Sequence, residues 1–304
     1  MLSSLELVIC DGNGIQTLSR KVIWITGASS GIGEALAYRL ATAGCKIIIS
    51  ARRKDRLETL KQKCLETGQL TKEDVLILPL DLQDFESHKE AVAIAIKYFK
   101  CVDVLVNNAG RSQRALFEKT SFNVDRQLLE INTLGTISLT KALLPHMVEQ
   151  KSGHIVVTSS IAGKHGVPGL CSYSASKHAL HGWFDSFRIE AYRYNIGVTM
   201  VCPGPVFSEA LTYAFTENTE KVRYLITMTV ENEMRYNDNS IETIQDELLG
   251  VVSKPGEKRI PTSRCAHLIA VAIANKLDEV WITFQPELFY CYLFQYLPLV
   301  AFRL

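Results

Sequence analysis

Val22-Ile23-Trp24-Ile25 runs straight into Thr26-Gly27-Ala28-Ser29-Ser30-Gly31-Ile32-Gly33, and Glu34-Ala35-Leu36-Ala37 then continues as a helical pattern to about Ala43. An apolar strand, a turn with glycines at 27, 31 and 33, and the opening of a helix follow one another without a gap. Glycines let the chain turn tightly and let a pyrophosphate approach backbone N–H groups, while the positive end of the helix dipole favours its charge. A plain strand-to-helix turn needs one glycine, so three at this spacing point to dinucleotide binding. The earlier Gly12-Asn13-Gly14 has no strand before it and reads as a simple turn.

The same rhythm continues along the chain. Ile47-Ile48-Ile49, Val75-Leu76-Ile77-Leu78, Val104-Leu105-Val106, Ile155-Val156-Val157, Val198-Thr199-Met200-Val201 and Val280-Trp281-Ile282 are short apolar or β-branched runs separated by segments of helical period. Runs that are apolar at every position suit strands buried on both faces of a parallel sheet, with crossover helices covering those faces. The expected fold is therefore α/β: a doubly wound, seven-stranded parallel sheet with helices on both faces. No repeat, low-complexity tract or linker interrupts it, so residues 20–285 read as one domain, after an amino-terminal arm (1–19) and before an apolar tail (286–304). About 50 residues separate the sixth strand from a helix starting near Thr262, far more than an ordinary connection. Within them Val222, Leu225, Ile226, Thr229 and Val230, then Ile241, Ile244 and Leu248, recur at helical spacing around the turn Tyr236-Asn237-Asp238-Asn239. This pattern predicts a helical substrate lid over about 207–261.

Composition excludes several classes of function. With 304 residues, 47% of them hydrophobic, the chain can bury one sizeable core. Its net charge of +1 supplies no field to attract nucleic acid, so no nucleic-acid partner is expected. Cys10, Cys45, Cys64, Cys101, Cys171, Cys202, Cys265 and Cys291 form no C-x-x-C pair and have no metal-ligand spacing with the histidines. They read as free, mostly buried thiols, and no metal is expected. Residues 1–20 carry only a short apolar cluster, with no signal peptide or span. Leu288 to Ala301, in contrast, reads LFYCYLFQYLPLVA without a charge. This tail suits a flap packed on the substrate mouth or on a neighbouring subunit in a homo-oligomer, or a monotopic membrane contact over 288–304, and less well a true span, for which it is short and proline-interrupted.

At the end of the second strand, where NAD-binding versions of this fold tend to place an acid on the ribose, the chain has Ile49-Ser50-Ala51-Arg52-Arg53-Lys54. Arg52 and Arg53 can fork onto a 2′-phosphate, which favours NADP(H) over NAD(H). Asp81, directly after the third strand, is placed to meet the adenine or to serve as a turn aspartate.

Ser172-Tyr173-Ser174-Ala175-Ser176-Lys177 opens a helix, so Tyr173 and Lys177, at i and i+4, share a face. A free phenol, with a pKa of about 10, is a poor proton shuttle at neutral pH, and a nearby ammonium together with a cationic nicotinamide would favour its ionised form. Lys177 is thus expected to tune Tyr173 as a general acid/base. Ser160, at the end of the fifth strand, stands where it can donate a hydrogen bond to a reacting oxygen.

Thr26 to Gly33, Asn107-Asn108-Ala109-Gly110, Asn132, Ser160, Tyr173, Lys177 and Pro203-Gly204 together resemble the motif set of the short-chain dehydrogenase/reductase family, over roughly residues 20–285. The resemblance implies a Rossmann-type fold and an oxidoreductase that interconverts a carbonyl and an alcohol. Ser160 would polarise the substrate carbonyl, Tyr173 would be the general acid/base, Lys177 would hold the nicotinamide ribose, and Asn132 would support a proton-relay water. Cofactor contacts would come from Gly27, Ser29, Ser30, Gly31, Ile32 and Gly33, from Arg52, Arg53, Asp81 and Leu82, and from Asn108, Ala109 and Gly110. Tyr173, Lys177, Pro203, Gly204, Val206 and Ser208 would complete them, Ser208 standing where the family often has threonine. Stretches such as Leu78-Pro79-Leu80-Asp81-Leu82 and Glu279-Val280-Trp281-Ile282 are similar to one group within the family. That group implies an endoplasmic-reticulum-associated, membrane-associated carbonyl reductase acting on lipophilic steroid, retinoid or xenobiotic substrates. The competing expectation is a catalytically retired NADP(H)-binding scaffold that docks a partner or membrane through its tail.

Overall fold

The computed structural model describes residues 13–208, 213–219 and 259–301. In chain order these form β1 (Val22–Thr26), α1 (Gly31–Thr42), β2 (Lys46–Ser50), α2 (Lys54–Leu65), β3 (Val75–Ile77), α3 (Ser87–Phe99), β4 (Val104–Asn107) and α4 (Phe122–Leu129). A π-helical turn, Glu130–Leu134, leads into α5 (Gly135–Gln150), followed by β5 (Gly153–Thr158), α6 (Cys171–Ala191) and β6 (Ile196–Pro203). The chain continues through α7 (Thr262–Ala274), β7 (Glu279–Ile282), α8 (Glu287–Tyr296) and α9 (Pro298–Ala301). All seven strands expected from the apolar runs are present, in one sheet of order β3-β2-β1-β4-β5-β6-β7 with every pairing parallel. The two helices expected within the lid lie outside the described residues.

The strands are apolar at successive positions because both faces of the sheet are covered. On β1, Ile23 and Ile25 join the layer under α1, α2 and α7, while Val22 and Trp24 join the layer under α3, α5 and α6. Leu36 and Leu40 of α1 and Ile269 of α7 are buried in the first layer; Leu139, Leu143 and Phe184 are buried in the second. Burying a side chain of this size contributes about 1.5–3 kcal/mol, so these two layers supply the main driving force for folding. The chain order reverses between β1, which pairs with β2 on one side, and β4 on the other. A cleft opens at the carboxyl ends of the strands at such a switch point.

Among the polar side chains buried in the sheet, one is ionisable near neutral pH. His154 on β5 is 5% exposed, with Nε2 at 2.7 Å from Thr199 Oγ1, which in turn donates to Leu277 O at 2.5 Å. Thr199 therefore accepts from a neutral imidazole. Burial, reinforced by Lys276, lowers the imidazole pKa to about 4. Between the ordinary value of 6.5 and about 4 the unfolded chain binds a proton that the folded chain refuses, so stability is full above this window and is lost as pH falls through it. His154→Gln is expected to remove up to about 3 kcal/mol of this acid sensitivity. Urea midpoints at pH 7 and pH 4.5 check it: parent and variant losing stability in parallel would refute the assignment.

The tail departs from a single helix because Pro298 cannot continue α8, and the chain restarts as the short α9. The tail packs on the sheet side through Cys291, through Tyr292 with its ring 5.0 Å from that of Trp281, and through Phe294 stacked on His165. Phe289, Tyr296, Leu299 and Val300 face outward and are exposed. Among the described residues no helix is long and apolar enough to cross a membrane.

Candidate active site

The cleft floor is made where the β1 and β4 turns meet. Thr26 Oγ1 accepts from the backbone N–H of Asn108 at 3.0 Å and of Ala109 at 3.1 Å, and itself faces Val106 O at 3.3 Å. Asn108 Nδ2 donates back to Thr26 O at 3.1 Å. Gly27 has φ +66°, and a Cβ there would stand 2.7 Å from Ala109 Cα. A Cβ on Gly33 would strike Gly27 O and stand 2.6 Å from Asn108 Nδ2. Glycine is thus required at both positions, by close approach at 33 and by both close approach and left-handed backbone at 27. The opened cradle leaves the first N–H groups of α1 facing the cleft, with Gly31 against Ser208, whose Cβ lies 3.2 Å from where a side chain would begin. Ile32 packs on the core beside them.

The cations after β2 divide their work. Arg53 donates to Ser29 Oγ at 3.1 Å and Ser30 Oγ at 3.0 Å, reaching across to the glycine loop. Arg52 leans toward Asp81 at 4.0 Å, and Asp81 also accepts from Gln83 N at 3.1 Å as a turn aspartate. Leu82 is buried, with its carbonyl against Gly135.

On the other side of the switch point, α6 carries the reactive face. Lys177 is 4% exposed and donates to Thr158 O at 2.8 Å; its Nζ stands 5.7 Å from the Tyr173 ring centroid. Burial lowers the Lys177 ammonium to about 8. Tyr173 departs from the expectation that its neighbours would lower it. Burial pushes its phenol up, against the opposing pull of the Ser160 hydrogen bond and the Arg114 guanidinium. The physical reason is that the cost of burying the phenolate outweighs those two neighbours, while Lys177 donates to the Thr158 carbonyl. Ser160 Oγ accepts from Ala162 N at 3.1 Å and faces Pro203 O at 3.4 Å, which fixes the hydroxyl at the end of β5.

Asn132 sits in the π-helical turn, 1% exposed, and clamps two segments together. Its Oδ1 accepts from Arg111 N at 2.8 Å, and its Nδ2 donates to Arg111 O and Ser176 Oγ, both at 2.9 Å. A Cβ on Gly110 would stand 3.1 Å from Asn132 Oδ1 and 3.5 Å from Lys177 Nζ, so Gly110 brings bare backbone to this corner. Pro203 and Gly204 end β6, Gly204 N donating to Ile282 O at 2.9 Å, and Val206 bridges to Ile260.

The structure thus brings Asn132, Ser160, Tyr173 and Lys177 to one end of the cleft and Arg53 with the glycine loop to the other. Sequence reasoning gave Thr26 no role of its own within its motif, and gave none to Arg111, Arg114 and Ser176. Thr26, between strand and first glycine, and Ser176, next to Lys177, carried a positional signal; the arginines carried none, because they reach the site through a folded loop. Arg111 Nε donates to Tyr213 O at 2.6 Å and its guanidinium lies 3.9 Å from the Phe215 ring centroid, tying the start of the long connection over the cleft.

The family model for short chain dehydrogenases matches residues 21–219. The chain belongs to the short-chain dehydrogenase/reductase family. As such it is a Rossmann-type oxidoreductase. This short-chain dehydrogenase/reductase is 44% identical over 284 residues to dehydrogenase/reductase SDR family member 7 of Homo sapiens, covering 92% of this chain and 75% of that protein. It is similar to the crystal structure of a short-chain dehydrogenase from Streptomyces avermitilis, at 28% identity and TM-score 0.71, covering 94% and 95% of the two chains. It is also similar to an alcohol dehydrogenase from the archaeon Thermococcus sibiricus complexed with 5-hydroxy-NADP, at 25% identity and TM-score 0.65, covering 86% and 95%.

Proposed function

We propose that this oxidoreductase uses NADP(H) to interconvert a carbonyl and an alcohol on a lipophilic substrate of the steroid, retinoid or xenobiotic class, with Tyr173 as general acid/base. The observation that carries the reading is the meeting of two half-sites: Arg53 laid across the Ser29 and Ser30 hydroxyls, and the Tyr173–Lys177 face of α6 beside Ser160. The cradle fits a nicotinamide dinucleotide, because its two crowded glycines leave backbone N–H groups bare and its basic end sets Asp81 beside Arg52. When bound, that cofactor supplies or accepts the hydride. Gly110 leaves room beside Asn132 and Lys177 for its ribose. Ser160 donates a hydrogen bond to the substrate oxygen, and Tyr173 passes the proton to it. A buried phenol with a raised pKa keeps its proton at neutral pH until that oxygen takes it, which suits the reductive direction.

Arg53→Ala is expected to raise the Kd for NADPH about tenfold to a hundredfold while leaving NADH nearly unchanged, as the loss of charge-assisted bonds to a 2′-phosphate requires. Fluorescence titration with both nucleotides decides it: equal losses for the two would place Arg53 in loop support alone. A screen of lipophilic ketones and aldehydes with each cofactor tests the substrate class. The exposed Phe289, Tyr296, Leu299 and Val300 support contact with the surface of the endoplasmic reticulum membrane, where such amphipathic rings lie well. Release of the full chain by alkaline washing without detergent would argue against that contact.

A further inference from the structure

One turn past Lys177, on the same face of α6, a second group of chemistry-bearing side chains meets behind the catalytic residues. His181 on α6, Cys202 near the end of β6 and Glu279 at the start of β7 have ligand atoms all within 4.8 Å of one another. Sequence spacing hides the group, because 21 and 77 residues separate its members. His181 Nε2 and Cys202 Sγ are joined by a hydrogen bond of 3.6 Å. Two ligands bound tetrahedrally to zinc, nitrogen at about 2.0–2.1 Å and sulfur at about 2.3 Å, stand about 3.6 Å apart. Imidazole and thiol are therefore already at the separation a shared ion demands. The other ring nitrogen, Nδ1, is buried with no hydrogen-bond partner, and its nearest anionic neighbour is Glu279 Oε2 at 3.6 Å. Cys202 is fully buried and His181 is 8% exposed.

Glu279 is presently occupied. Lys164 Nζ lies 3.0 Å from its Oε1 and donates to its Oε2 at 3.2 Å, and Trp281 Nε1 donates to Oε1 at 2.5 Å. We propose that His181, Cys202 and Glu279 form a binding site for a soft divalent cation of the zinc class, with the Lys164 ammonium as its resident competitor. Imidazole with thiolate selects that class over calcium or magnesium, which prefer all-oxygen sites. The exchange balances without moving electrons. The Cys202 thiol releases its proton to solvent as the sulfur–metal bond forms, and thiolate plus carboxylate neutralise the dication. Lys164 swings out carrying its charge, and the Glu279 side chain turns the short way toward the metal. Entry is open on that edge, where the side chains of Glu279 and Lys164 are 26% and 16% exposed. The bound ion ties the helix of Lys177 to the strand that ends in Pro203, so it stiffens the catalytic frame.

Cobalt(II) chloride titrated into the full chain under reducing conditions tests this directly. One equivalent is expected to give a thiolate-to-cobalt charge-transfer band and the intense visible bands of a four-coordinate ion, with zinc displacing it and raising Tm. Cys202→Ala should abolish the charge-transfer band, and His181→Gln should weaken binding about tenfold or more. Cys171→Ser, at the exposed cysteine, should change nothing. Lys164→Met removes the competing cation and should bind cobalt about tenfold more tightly, a gain that misfolding cannot mimic. No band in the parent, a band that survives Cys202→Ala, or a Lys164→Met protein that binds no more tightly would each overturn the site.

Discussion

Tyr173→Phe is expected to lower kcat for carbonyl reduction about a thousandfold, within the range that a positioned general acid supplies, while the Kd for NADPH stays within about twofold. The substitution removes one hydroxyl and keeps the ring, so the packing of α6 is retained. What is lost is a group that touches Ser160 and carries a proton held in place by burial. Ser160 alone cannot replace it, because an aliphatic hydroxyl can donate a hydrogen bond to the substrate oxygen but is too weak an acid to give up its proton. Stopped-flow measurement of NADPH oxidation, alongside nucleotide binding, separates chemistry from affinity. Turnover in the variant equal to the parent's, on the same carbonyl, would move the proton chemistry to another residue, and loss of binding together with turnover would make Tyr173 a structural residue. The retired-scaffold alternative predicts no measurable turnover in the parent.

Gly33→Ala is expected to be strongly damaging for so small a substitution. Its new methyl would occupy the space of Gly27 O and Asn108 Nδ2, both fixed by the floor that Thr26 holds together. Neither backbone nor a twice-bonded amide can retreat as a flexible side chain would. Overpacking of this kind costs about 1–3 kcal/mol, and displacement of Asn108 adds unsatisfied polar groups to that. A fall in Tm of several degrees is expected, with NADPH affinity reduced about a hundredfold because α1 is pushed out of line with the cradle. Calorimetry with and without nucleotide checks both parts. A variant that melts like the parent and binds NADPH normally would show that the close approach is relaxed in solution.

The fold was readable because its signals are local. Ile47-Ile48-Ile49 and Val104-Leu105-Val106 are apolar at each position, and both lie in strands covered on two faces. The glycines at 27, 31 and 33 announced a strand–turn–helix unit, and the structure has β1 and α1 there. Tyr173 and Lys177 could be placed on one face because four residues of helix separate them. The state of their protons was not readable, since it depends on burial and on Lys177 turning to Thr158. Nor could sequence divide labour between Arg52 and Arg53, adjacent residues of which one meets Asp81 and the other the glycine loop. His181, Cys202 and Glu279 stayed invisible because three separate elements supply them.

The π-helical turn at Glu130–Leu134 gives chain length itself a role in the chemistry. A π turn holds one residue more than the regular helix around it, and each residue of an α-helix advances the face by about 100°. Deleting a single residue there would let α4 and α5 fuse into a regular helix. The sheet-facing Leu139 and Leu143 would then have to rotate away from the core, or Asn132 away from Arg111 and Ser176. Core and cleft could no longer be satisfied by the same helix. The inserted residue works as a phase shifter, and along this segment gaps should be tolerated less well than changes of side chain.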